Sequence, residues 1–151
     1  MRRPCGFAPP LLAAFVVLGC GGDDIVAPGP DTGPLTALIE GQLFVADSAR
    51  VTRRGYEVSV NAYGPDQKSI RLHFTDEGPR NYLIGPGNPV SASVTIGASG
   101  WVAEESTGQG TITVTLLTYT RIEGQLTLTV VGGGSPTSLD VTKGRFVIDY
   151  F

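Results

Sequence analysis

The sequence predicts an all-β domain, an antiparallel β-sandwich of roughly nine or ten short strands, with a closed lipocalin-like barrel as the alternative. Three observations point there. From Leu35 onward, apolar residues recur at every second position with almost no helical period, the pattern of half-buried strands. The runs end in Gly, Pro, Asp and Asn clusters, at the intervals expected of a sandwich or barrel. The chain also holds 21 glycines and 11 prolines in 151 residues, which suits many strands joined by tight turns.

Leu35, Ala37 and Ile39 start the domain. Tyr56, Val58, Val60 and Ala62 alternate with polar neighbours up to Gly64-Pro65-Asp66, a turn with proline in its favoured place, the second position. Ile70, Leu72 and Phe74 alternate with Ser69, Arg71 and His73, and stop at Asp76-Glu77-Gly78-Pro79. A short run at Tyr82-Leu83-Ile84 meets Gly85-Pro86-Gly87-Asn88-Pro89. Val90, Ala92, Val94 and Ile96 follow, then a segment centred on Trp101, then Ile112, Val114 and Leu116. Two last strands, around 121–131 and 139–151, flank Gly132-Gly133-Gly134-Ser135-Pro136.

One pentapeptide occurs twice, Ile-Glu-Gly-Gln-Leu at 39–43 and at 122–126. Lys143-Gly144-Arg145-Phe146 and Gly110-Thr111-Ile112 are looser versions. In each, the glycine shares parity with the apolar residues that follow. It is expected to face the core at a bulge, a bend or a close approach by another side chain. Shared strand chemistry accounts for the repetition without a duplication.

The N-terminus has the layout of a secretory signal, residues 1–19. Arg2 and Arg3 form a basic start, Leu11 to Leu18 an apolar core, and Gly19 precedes Cys20. The apolar core is too short for a spanning helix, which needs about 20 residues. Residues 20–34 then read as a tether, CGGDDIVAPGPDTGP, whose reach at about 3 Å per residue is roughly 40 Å. Residues 35–151 suffice for one domain.

Val17-Leu18-Gly19-Cys20 resembles the lipobox of bacterial lipoproteins, with Leu18 where a smaller residue is more usual. The resemblance implies a diacylglycerol on the Cys20 thiol, cleavage before Cys20 and acylation of the new amine. Two or three acyl chains anchor a protein stably where one does not. It also implies a bacterial cell envelope location. With no aspartate directly after Cys20, the outer membrane is expected, on its periplasmic side or at the cell surface. Beyond the lipobox, the chain resembles the small all-β domains of unknown function carried by short envelope lipoproteins. That resemblance rests on the two Ile-Glu-Gly-Gln-Leu blocks and Lys143-Gly144-Arg145-Phe146, and it brings no activity with it.

Cleavage before Cys20 leaves nine basic against fourteen acidic residues, a net charge of −5. Nucleic-acid and anionic-lipid binders want a basic face, so neither partner is expected. With Cys5 removed and Cys20 lipidated, no intrachain disulfide is possible.

No catalytic set emerges, and no enzyme activity, metal or cofactor is expected. The single histidine, His73, lies on the polar parity of its strand. No second histidine or free cysteine remains to complete a zinc site, and a Ser-His-Asp triad would need an outward imidazole. Asp76-Glu77 and Glu104-Glu105 are adjacent pairs, which on a strand point to opposite faces rather than across a cleft. Arg50, Arg53 and Arg54 cluster before Gly55. They suit either an anionic partner or an edge strand guarded by charge.

The candidate interaction surface is the hydroxyl-rich outward parity of the later strands. Ser91, Ser93 and Thr95, then Thr111, Thr113 and Thr115, then Thr127 and Thr129 avoid charge, and Trp101 is a candidate platform beside them. The function expected is a lipid-anchored, non-enzymatic binding or scaffold module with an envelope protein or glycan partner. The alternatives are a carrier of a small apolar ligand in a barrel interior and an envelope hydrolase.

Overall fold

A computed structural model describes residues 33–151. The signal segment, the lipobox and the tether up to residue 32 lie outside the described residues. Eleven strands follow in order: β1 (Leu35–Ile39), β2 (Gln42–Val45), β3 (Ser48–Arg54), β4 (Glu57–Tyr63), β5 (Lys68–Thr75), β6 (Asn81–Ile84), β7 (Ser91–Ile96), β8 (Ser99–Ala103), β9 (Gln109–Leu117), β10 (Arg121–Gly132) and β11 (Ser138–Asp149). The fold is all-β, one antiparallel sheet curled into a half-barrel.

The sheet runs β2-β1-β11-β10-β8-β7-β5-β4-β3, with β6 and β9 branching from β10. The branch point follows from length. The 12-residue β10 pairs with β9 over Ile122 to Thr129, and only its last residues, Val131 and Gly132, pair with Val102 and Trp101 of β8. One limb is therefore β6-β9-β10-β11-β1-β2 and the other β8-β7-β5-β4-β3. Phe74 of β5 meets Tyr82 of β6 between the limbs, with ring centroids 4.6 Å apart and planes tilted by 40°.

Alternation decides which side chains go inside. Val58, Val60, Ala62, Ile70, Leu72 and Phe74 are all fully buried, while their neighbours in sequence face out. Phe146, Leu35, Ile112, Ile122 and Leu128 fill the core from the other limb. Among the described residues no polar or charged residue is buried, and no buried side-chain nitrogen or oxygen lacks a partner. Each large apolar side chain so buried contributes about 1.5–3 kcal/mol.

Two hairpins correct local expectations. Asp66 and Gln67 both have φ of 57°, and the Lys68 amide donates to the Pro65 carbonyl at 3.1 Å. The turn is centred on Asp66-Gln67, so Pro65 is its first residue and not its second, the place that proline favours. The two copies of Ile-Glu-Gly-Gln-Leu adopt unrelated structures. At 39–43 the glycine is no core residue: Glu40 and Gly41, with φ of 49° and 75°, are the two central residues of the β1–β2 hairpin, the pattern of a type I′ turn. At 122–126 the segment is continuous strand, and Gly124 is buried opposite Phe146.

The core-facing glycines share one arrangement. A Cβ on Gly124 would lie 2.4 Å from the Phe146 ring, one on Gly144 would lie 2.4 Å from Leu126, and one on Gly110 would lie 2.8 Å from Leu128. In each pair a bulky side chain on the adjacent strand occupies the space the glycine leaves. Bulges adjoin these sites. Lys143, at φ 50°, lies where β11 slips register against both β10 and β1, and β9 slips against β10 beside Gly124. Such bulges increase local twist and bend a strand, which lets the sheet curl.

The pentapeptides therefore predict unequal costs. Gly124→Ala should destabilise the domain by about 3 kcal/mol, at the top of the overpacking range, because the Thr113 carbonyl oxygen 2.2 Å from the new Cβ is backbone and cannot swing aside. Gly41→Ala meets no atom within 4 Å and should cost about 1 kcal/mol, from its positive φ alone. Urea denaturation of the two variants measures the difference.

Candidate functional site

The same alternation that fills the core builds a continuous polar surface on the opposite side of β3, β4, β5 and β7. Antiparallel register stacks its residues into cross-strand rows. Arg50, Asn61, Arg71 and Ser93 form one row, and Thr52, Ser59, His73 and Ser91 the next. Ser48, Tyr63, Ser69 and Thr95 flank them on one side, and Arg54, Glu57 and Thr75 on the other. Over this surface lies a trough of ≈ 480 Å3, lined by Arg50, Thr52, Arg54, Glu57, Ser59, Asn61, Tyr63 and Arg71. A recess of ≈ 110 Å3 continues it over Ser69, Ser93 and Thr95.

Its floor is internally bonded. The Arg71 Nε donates to Asn61 Oδ1 at 2.7 Å, and Ser59 Oγ lies 3.1 Å from His73 Nδ1. Its charge is not internally balanced. Arg50, Arg54 and Arg71 form no ion pair among the described residues. Glu57, opposite Arg54, is the one carboxylate in the lining. Three guanidiniums thus share a surface with a single acid.

Strand parity divides the arginine cluster. Ala49 and Val51 pack toward the core from β3, and Arg53 follows on their side, while Arg50 and Arg54 face the trough. Arg53 reaches the other limb. Its Nη1 donates to the Thr118 carbonyl at 3.0 Å and to the Tyr150 hydroxyl at 3.5 Å, and its Nη2 donates to Asp76. Its guanidinium also stands 5.3 Å from the centre of the Tyr119 ring. Burial works against this charge, but the Tyr150 hydroxyl and the Asp76 carboxylate outweigh it and hold the guanidinium above its ordinary value.

The hydroxyl-rich strands do not form one surface. Ser91, Ser93 and Thr95 belong to the trough, whereas Thr111 and Thr113 lie on the other limb between Leu83 and Asn81 of β6 and Thr127 and Gln125 of β10. Thr115 is exposed at the β9 bulge, and its hydroxyl donates to the Glu123 carbonyl at 3.2 Å. Trp101 is not on any exposed surface. It is 4% exposed, its Nε1 donates to the Pro136 carbonyl at 2.8 Å, and the Gly132–Pro136 loop covers its ring so closely that a Cβ on Gly134 would lie 2.5 Å from it. The loop's glycines are what admit the indole.

The acidic pairs are dispersed. Asp76 bonds Arg53, Glu77 bonds Arg80, Glu104 lies in an isolated bridge with Thr107, and Glu105 accepts from the Gly87 amide at 3.4 Å. Among the described residues no three His, Cys, Asp or Glu side chains group as metal ligands. His73 has Ser59 beside it, but no carboxylate among the described residues bonds its ring to orient it as a base. No family model, curated protein or solved structure matches the chain.

The division of the arginines has a direct consequence. Arg53→Met should lower stability by about 1–2 kcal/mol, since charged hydrogen bonds are lost at a partly exposed site. Arg50→Met and Arg54→Met should stay within about 0.5 kcal/mol of the parent. Thermal melts of the three variants check this.

Proposed function

We propose that this chain is a lipid-anchored bacterial envelope lipoprotein whose β-domain is a non-enzymatic binding module, working through the trough of β3, β4, β5 and β7. One observation carries the reading: a chain with a mature net charge of −5 places on one polar sheet surface three arginines that form no ion pair among the described residues. Neutralising those charges internally would have been easy in so acidic a sequence. An anionic partner accounts for their being left open, and the segregation of charge would guide its approach.

The N-terminal motif supplies the rest. The lipid on Cys20 holds the protein to the membrane, most naturally the outer membrane, and residues 21–34 let the domain stand clear of the bilayer. In its finer form we read the half-barrel as a β-sandwich, because Phe74 of one limb packs on Tyr82 of the other and large side chains occupy the interior. The same filling favours a surface binder over a carrier with an apolar ligand inside. The Ser59–His73 pair, with no orienting carboxylate, favours a binder over a hydrolase.

Two experiments test this. Cys20→Ser should abolish incorporation of labelled fatty acid and move the protein from the membrane to the soluble fraction; persistence of both label and membrane association would reject the anchor. The soluble Cys20→Ser chain should then co-sediment with isolated envelopes at low salt. Adding Arg50→Glu and Arg71→Glu should remove that binding, and adding Thr111→Glu and Thr113→Glu should not. The reverse pattern would move the interaction surface to the threonine strands.

A further inference from the structure

Building on that reading of the trough, we infer that its ligand is an acidic polysaccharide, an extended chain of sugars bearing carboxylate or sulfate groups, laid across β3, β4 and β5. The spacing of the arginines argues for a chain rather than a compact anion. Arg50 and Arg71 share a cross-strand row two strands apart, about 10 Å between backbones. Arg54 lies four residues along β3 from Arg50, about 13 Å away. A single phosphate or carboxylate satisfies one guanidinium, or two at a stretch of their side chains. Repeated charges on an extended polymer can meet all three, each through the forked geometry that suits arginine to oxyanions.

The ground between the arginines argues for sugar. Thr52, Ser59, Asn61 and Ser93 offer hydroxyl and amide groups in register, donors and acceptors of the kind that exchange hydrogen bonds with sugar hydroxyls. Tyr63, 48% exposed at the edge of the trough, presents the one ring of the lining on which a sugar can stack. Single-stranded nucleic acid would want successive aromatic platforms, and a basic surface over much more of the molecule. A protein partner would want an apolar, aromatic centre, and the middle rows here hold only polar side chains. A bilayer would want apolar side chains to insert, which this surface also lacks.

Titration calorimetry of the soluble Cys20→Ser chain tests the inference with polygalacturonate, dextran sulfate, neutral dextran, monomeric galacturonate and inorganic phosphate. Binding is expected to one or both acidic polymers, weakening as salt is raised, with the carboxylated and sulfated arms showing which oxyanion is preferred. Neutral dextran, monomer and phosphate should bind at least about tenfold more weakly, because they lack either the charge or the repetition. Arg50→Glu with Arg71→Glu should cost about tenfold or more, and the corresponding lysine pair should retain part of the affinity. These side chains point away from the core, so the far-ultraviolet spectrum and melting curve should stay those of the parent. Equal binding of neutral dextran would overturn the acidic class. Equally tight binding of phosphate or monomer would overturn the extended chain. Unchanged affinity in the glutamate pair would overturn the site. If both acidic polymers fail while the chain still sediments with envelopes in an arginine-dependent way, the ligand class is wrong and the binding-module reading stands. Failure of both assays would reject both.

Discussion

Arg53 ties the free edge of the sheet to its opposite limb. Strand β3 ends the path β8-β7-β5-β4-β3 and, among the described residues, pairs on one side only. An edge strand of this kind is open to fraying or to pairing with another chain. From the end of β3, Arg53 reaches the β9–β10 turn at Thr118, the Tyr150 hydroxyl just past β11, and Asp76 just past β5. Three separate parts of the chain thus meet on one guanidinium. The trough depends on this tie, because Arg50, Thr52 and Arg54 form its outer wall and keep their rows only while β3 holds register with β4. An arginine with no part in the binding surface positions the strand that carries two that have.

Curvature is the second requirement, since the limb of β9, β10, β11 and β1 must bend for the sheet to close over its core. Here it is associated with unpaired residues and missing side chains. The bulge at Lys143 shifts β11 against both of its neighbours, and the slip beside Gly124 does the same for β9 against β10. Phe146, Leu126 and Leu128 each cover a glycine on an adjacent strand. The strands approach closely where the sheet bends, and the core loses no volume because the covering side chain is large.

Much of the fold is legible in the sequence because alternation is unusually regular where it matters. The runs from Val58, Ile70, Ala92 and Ile112 identify β4, β5, β7 and β9 and their buried residues, and the last two strands fall close to their expected ends. The strands that are harder to read have local reasons. Strand β3 carries Ala49, Val51 and Arg53 on its inner side, so a charged residue occupies a position that alternation reserves for an apolar one. Strand β2 has only Phe44 buried, and the same Ile-Glu-Gly-Gln-Leu letters make a hairpin there and a strand interior at 122–126. Burial and register distinguish those copies, and neither is written in five residues.

The trough was half legible. Parity alone places Arg50 and Arg54 on one side of a strand and Arg53 on the other, and places Arg71 and His73 on the polar side of β5. What local pattern does not contain is the order β7-β5-β4-β3. Strand β6 lies between β5 and β7 in sequence but leaves for the other limb to pair with β9, and its departure brings Ser91, Ser93 and Thr95 beside Arg71. Long-range pairing also explains why the hydroxyl-rich strands, uniform in composition, end on two different surfaces. One set lies next to the Arg71 guanidinium, which forms no ion pair among the described residues; the other lies between the side chains of Asn81, Leu83, Gln125 and Thr127. Composition makes the two sets alike, and their neighbours make them different. The set beside the arginines is the one that can share hydrogen bonds with whatever the arginines attract.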